Sequence, residues 1–271
     1  MSGRRVLLQQ IGQEVYLLDD YGGSATAFSL RYLSSAFVGS DVVLVRRSSD
    51  NAEQGFTPTE ITNGTLTTFT GAGNGFVKTW YDQSGNTRDA TQLTASSQPQ
   101  IVDTGALITE NGLPTIRFAT DYLQTATFTL AAQPITKILV TTQDSNNFGY
   151  ILDGSSAKRG IVGTDANYFP RLFSGNVLTL TAAGANALIS QSLVYSLFDV
   201  ANSEMFIDGA TVGSGNAGDN GLERVTIGVS ASTLNTQNFS GNIQEVVIYP
   251  SDETANQTGI ETNINDYYTI F

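Results

Sequence analysis

A chain of 271 residues with 13 Lys and Arg against 25 Asp and Glu carries a formal charge of −12. That balance excludes a long basic groove for nucleic acid and electrostatic adhesion to an anionic membrane. The chain has no Cys and no His, which removes disulfides, thiolate chemistry, a Ser-His-Asp triad and a His-ligated zinc site. Hydrophobic residues make up 40% and are spread along the chain, so it has the means to bury a core rather than stay disordered.

Residues 1–16 stand apart. Met1 to Leu8 briefly imitates a signal peptide, but Gln9, Gln10, Gln13 and Glu14 interrupt the apolar stretch. No apolar run reaches the ~18 residues of a membrane-spanning helix. Arg4 and Arg5 with Leu7 and Leu8 put positive charge and apolar surface beside an acidic body. Two readings follow: an extra edge strand or frayed terminus, or an arm that docks on a partner protein.

From Leu17 a single domain running to residue 271 is expected. Ala27 to Leu33 reads as a strand with Phe28, Leu30 and Tyr32 on one face, and Val42 to Arg47 as a second. Arg46 and Arg47 alternate across the sheet, so one points inward and calls for a carboxylate such as Asp50 or Glu53. Asn63-Gly64 is a hairpin signal. Gly71 to Gly75 leads into Phe76 to Tyr81, a strand carrying the one Trp of the chain, Trp80, as a large apolar anchor. Asp82, Ser84, Gly85 and Asn86 then make a tight polar turn, in which Asp82 either holds the backbone or acts chemically.

Gln100 to Val102 and Thr115 to Phe118 are short strands, each preceded by a Pro that supplies no backbone donor. Ile135 to Thr142 is the longest β-branched stretch and is expected at the centre of a sheet. Tyr150 to Gly154 and Arg159 to Gly163 are strands divided by a polar turn. Thr164 to Phe173 then gathers Asp165, Asn167, Tyr168, Phe169 and Arg171. That mixture can stack on a sugar ring and hydrogen-bond its hydroxyls, or can form a packed hairpin. Strands follow at 193–198, 203–209, 224–228 and 241–249. In the last of these Ile243, Val247 and Tyr249 are expected on one face.

A helix over about 251–268 closes the chain, with Ser251 as its N-cap and Ile260, Ile264 and Tyr267 or Tyr268 as its apolar stripe. Many short strands, turn signals and one terminal helix predict an all-β fold, a two-sheet antiparallel β-sandwich with one C-terminal helix.

Two groups of residues carry a resemblance. "FIDG" at 206–209, "TIG" at 226–228 and "FSGNIQEVVIYPSD" at 239–252 resemble the last strands of a laminin-G-like, concanavalin A-like jelly roll. "SLRYLSSAFVGSDVVLVRRSSDN" at 29–51 with "TWYDQSGNTRDATQ" at 79–92 is similar to the catalytic domain of the arabinofuranosidase B family. The likeness spans roughly 17–271 and is weak between about 120 and 200. The same signature resembles domains of tailed-bacteriophage virion proteins.

The resemblance implies chemistry that these residues do not supply. Enzymes of that family cleave with a Glu nucleophile and an Asp acid/base. Matched on Leu172-Phe173-Ser174-Gly175, the nucleophile falls at Phe169 and an accompanying Asp at Asn167. Matched after Ile227-Gly228, the acid/base falls near Ser230, with Ala231 next. The family's disulfides, one of which lines its sugar pocket, are impossible here. No catalytic residue is therefore assigned, and Asp165 and Asp219 are the remaining candidates should the chain cleave.

The expectation is a non-catalytic virion protein, a capsid decoration, fibre or tail appendage. Its jelly roll would meet other virion proteins or a host-surface polysaccharide, in a homo-oligomer or symmetric array. It would be made in the host cytoplasm without a signal peptide. The alternatives are an active arabinofuranosidase-like hydrolase and a free lectin-like adhesin. No cofactor is expected; jelly rolls of this kind often hold a structural calcium at a rim, and without an EF-hand spacing no ligands are assigned.

Overall fold

The structure is a computed structural model and describes residues 15–234 and 236–271. Arg4, Arg5, Leu7 and Leu8, the expected docking residues, lie outside the described residues.

Two antiparallel layers face each other. The first runs Ala210–Gly215, Ser203–Ile207, Ser192–Phe198, Ile135–Gln143, Gly241–Tyr249 and Thr26–Ser29. Its centre is the β-branched Ile135–Gln143 strand, as its composition predicts. The second runs from Glu53–Phe56 through Val43–Arg47, Gly75–Trp80, Ala90–Thr91, Leu123–Gln124 and Thr226–Ile227. It continues through Tyr150–Asp153, Ile161–Thr164, Pro170–Phe173 and Val177–Thr179. Gln100–Asp103 and Ile116–Phe118 pair with strands of both layers and join them. This is a jelly-roll β-sandwich with one long C-terminal helix.

Alternation along the strands builds two cores. Phe28, Leu139, Val194, Val246 and Ile248 meet Trp80, Leu152, Val162, Leu172 and Ile227 between the layers. Ala27, Ile138, Val140, Tyr195, Val247 and Tyr249 point the other way, onto Ile260, Ile264 and Tyr268 of the helix. Each of the Val, Leu, Ile and Phe side chains among them contributes about 1.5–3 kcal/mol on burial.

Ile243 does not share a face with Val247 and Tyr249. The pairing with Ile135–Gln143 slips between Val140↔Glu245 and Thr141↔Ile243, leaving Gln244 as an extra residue. Such a bulge flips the alternation, so Ile243 joins Val246 and Ile248 in the inner core. Gln244 Nε2 then donates to the carbonyl of Pro114 at 3.2 Å.

Three local expectations are corrected. Asn63-Gly64 is not a hairpin turn but the joint between helices Pro58–Thr62 and Thr65–Thr70. Gly64 takes φ +93° there, and Asn63 Oδ1 accepts from Thr65 N at 3.0 Å. A Thr57–Glu60 capping box starts the first of the two. The C-terminal helix is Gln257–Tyr268, with Asn256 rather than Ser251 at its N-cap. Thr136 Oγ1 donates to Ser251 O at 2.8 Å and accepts from Glu253 N at 3.1 Å, holding 251–253 against the sheet. Arg46, the inward arginine, bonds Gln98 Oε1 at 2.7 Å and Asn51 Oδ1 at 2.9 Å, so amides serve it instead of a carboxylate. Arg47 takes Asp50 at the surface, at 2.7 Å.

Candidate functional site

Asp82 holds a turn. Its Oδ1 accepts from Ala27 N at 2.8 Å and Ser84 N at 3.0 Å; its Oδ2 accepts from Ser84 Oγ at 2.7 Å and Arg88 N at 3.0 Å. Together these bonds stitch the loop after Trp80 to the Thr26–Ser29 strand. Trp80 itself is fully buried.

The Asp165–Phe169 segment is the tight connection between Ile161–Thr164 and Pro170–Phe173. Asp165 Oδ1 accepts from Asn167 N at 2.8 Å and Phe169 N at 3.0 Å, while Asp165 N donates to Phe169 O at 2.9 Å. Asp165 is thus an Asx cap of its own hairpin. Asn167 is exposed, Phe169 is half-buried, and Tyr168 is half-buried with a left-handed backbone, φ +66°.

Arg171 leaves the turn and enters a row across the sheet. The register aligns Tyr150, Gly163, Arg171 and Thr179 side by side on adjacent strands. Directly paired residues share a face, and the neighbouring row of Leu152, Val162 and Leu172 is inner core. The Arg171 row therefore faces outward. Gly163 lets its neighbours pack closely: a Cβ there would lie 2.5 Å from Gly149 O and 3.2 Å from the Tyr150 ring. The Arg171 guanidinium sits 5.4 Å from the Tyr150 ring centre.

A second guanidinium approaches the same ring. Arg159 lies 5.6 Å from it and is held by Asp153, Nε to Oδ2 at 2.6 Å. Asp153 is fully buried, and its carboxylate also accepts from Gly154, Gly160 and Ala231 N. The other end of Arg159 donates to Ser230 Oγ at 3.2 Å and Ser232 Oγ at 2.9 Å. Behind this group Lys137 is buried and its Nζ donates to Gly160 O. Burial pushes its ammonium down to about 8, against the opposing pull of Asp153.

The two segments matched to the sugar-cleaving site thus converge on Tyr150: 167–171 through Arg171, and 230–231 through Arg159. The sequence reading picked out the first. It missed Asp153 and Arg159, although an Asp-Gly closing an apolar strand with Lys-Arg just beyond it marks a turn needing an ion pair. Asp165 and Asp219 are not brought together. Asp165 caps the turn before Pro170, whereas Asn220, next to Asp219, donates its N–H to Ser174 O at 2.8 Å. Four residues at about 3.3 Å each, from Pro170 to Ser174, put roughly 13 Å between those ends. Among the described residues no group of three or more His, Cys, Asp or Glu is placed so as to hold a metal ion.

No known family's sequence profile and no curated protein matches the chain. Among solved structures it is similar to an arabinofuranosidase complexed with arabinofuranosyl-α-1,2-xylobiose, with TM-score 0.69 and 16% identity over 89% of this chain. A Glu→Gln variant of a GH54 α-L-arabinofuranosidase soaked with 4-nitrophenyl α-L-arabinofuranoside gives TM-score 0.65, also at 16% identity and 89% coverage. The chain spans 62% of the length of each. It shares the β-sandwich of these glycoside hydrolases; at this identity the likeness is one of fold.

Proposed function

We propose that this chain is a non-catalytic binding sandwich carried on a bacteriophage virion, as a capsid decoration, fibre or tail appendage that meets a partner protein or a host-surface glycan. The observation that carries the non-catalytic part is the content of the matched positions. Phe169, Asn167 and Ser230 stand where a cleaving enzyme needs carboxyl groups. Hydrolysis requires two carboxyl groups roughly 5–9 Å apart across one bond, whereas Asp165 and Asp219 flank opposite ends of the 170–173 strand. The Arg171 row supports binding instead: the half-buried Arg171 and Thr179 present a guanidinium and a hydroxyl on one face, a set suited to sugar hydroxyls. The virion setting is supported by the sequence signature at 29–51 and 79–92.

Three measurements test this reading. Purified chain incubated with aryl arabinofuranosides and host polysaccharides is expected to show no turnover; turnover abolished by Asp165→Asn or Asp219→Asn would overturn the non-catalytic assignment. Mass spectrometry of purified virions is expected to find the chain in fixed copy number, and its absence defeats the virion role. A glycan array is expected to show binding. A flat array confines the module to contacts with other proteins.

A further inference from the structure

Arg171 is an unusual arginine for a chain of net charge −12. Arg31, Arg47, Arg117 and Arg159 each pair with a carboxylate. Arg46, Arg88 and Arg224 donate to neutral oxygens. Among the described residues Arg171 meets the Tyr150 ring and no oxygen acceptor, and its Nε, like that of Arg224, is buried without a partner. A guanidinium carries five donors in a planar fork, and a desolvated donor without a partner is unfavourable. Its surroundings do not neutralise it. Arg159 beside it spends its charge on Asp153, and Asp165 spends Oδ1 on the backbone of its own turn. Thr179 stands next to Arg171 in the row and adds a hydroxyl, while Gly163 on the other side brings no side chain of its own and lets the Tyr150 ring close in.

We infer that Arg171 is the anion-reading residue of a sugar site, and that the ligand is a carboxylate-bearing glycan of the uronic acid type. The guanidinium edge would engage the carboxylate in a two-point contact, with its face already fixed on Tyr150. Thr179 and Ser232 would meet ring hydroxyls. Fixing Arg171 on Tyr150 beforehand reduces the entropy lost on binding. This inference rests on the glycan-binding reading above and specifies its chemistry.

The experiment titrates the full chain with oligogalacturonate, with the same oligomer after carboxyl reduction, and with dextran sulfate. The wild-type chain is expected to bind oligogalacturonate, to bind the reduced oligomer at least ~10-fold more weakly, and to gain little from sulfate. Arg171→Gln is expected to lose at least ~10-fold for oligogalacturonate, the scale of a lost charge-assisted pair. Arg171→Lys, which keeps charge without the fork, should fall between. Equal binding of the carboxylated and reduced oligomers overturns the carboxylate assignment and leaves glycan binding standing. Equal binding of dextran sulfate overturns it as general anion attraction, and full affinity in Arg171→Gln overturns the role of Arg171. A chain that binds none of these probes and no glycan on an array defeats the underlying glycan reading as well. The reduced oligomer tests wild-type protein, so the result stands even if a variant folds poorly.

Discussion

Arg31 grips Glu245 at two points, Nε to Oε2 at 2.8 Å and Nη2 to Oε1 at 3.0 Å, where the sheet meets the C-terminal helix. The same Oε2 accepts from Ser29 Oγ at 2.8 Å and from Tyr268 OH at 3.2 Å, and Arg31 reaches Asn263 Oδ1 at 3.0 Å. Strand, loop and helix therefore share one buried charge pair, which raises the already high proton affinity of Arg31 further despite its burial. Removing one partner strands the other charge. Glu245→Ala is expected to lose about 3–5 kcal/mol in urea unfolding. The double variant Arg31→Met, Glu245→Leu should recover much of that loss, because no lone charge remains buried.

The Asp82 turn gives a second expectation. Four donors converge on one carboxylate that is 3% exposed. Asp82→Ala leaves the backbone N–H groups of Ala27, Ser84 and Arg88 to find other acceptors, and about 3 kcal/mol of stability should go with them. Asp82→Asn keeps one acceptor oxygen but turns an NH2 toward a donor, so it should lie between. Chemical unfolding of the two variants measures both, and glycan binding in the folded fraction should stay unchanged.

Much of the architecture was readable because period-2 alternation and turn chemistry are local. Trp80, the central Ile135–Gln143 strand and the Ile260–Ile264–Tyr268 stripe all follow from it. What escaped depends on non-local register. The bulge at Gln244 that redirects Ile243 is set by the neighbouring strand. The delayed helix start depends on Thr136, which is 115 positions from Ser251 in sequence. The candidate site divides in the same way: the 165–171 cluster was legible as a mixed polar and aromatic run. Tyr150 joins it through cross-strand pairing with Gly163, and Arg159 and Asp153 join through the Tyr150 ring.

Lys137 predicts a pH dependence. Its ammonium titrates near 8 when folded, below the 10.5 of an exposed lysine. Between those values the unfolded chain holds a proton the folded chain has released, so stability rises with pH relative to a chain without the lysine. Lys137→Met should therefore compare most favourably with the wild type below pH 8. Its relative advantage should shrink by up to about 3 kcal/mol as pH approaches 10.5. Paired unfolding curves at about pH 7, 9 and 10, on the approach to the ordinary lysine value, read the difference directly. A gap that stays flat across them would show that Lys137 keeps an ordinary affinity for its proton.

Tyr168 separates a structural role from a binding one in a single substitution. Its backbone sits at φ +66°, a conformation unfavourable for a side-chain-bearing residue by roughly 1–2 kcal/mol and natural for glycine. Tyr168 O still accepts from Asn186 N at 2.9 Å, and Asp165 O from Tyr168 N at 2.9 Å, bonds a glycine can keep. Tyr168→Gly is accordingly expected to hold or raise the thermal midpoint, less whatever the half-buried ring contributes by packing. If the ring serves the sugar face of the hairpin, the same variant should bind glycan at least ~10-fold more weakly, as loss of one aromatic stacking contact implies. A variant equally stable and equally tight in binding would remove Tyr168 from the site and leave Arg171 and its row to carry recognition.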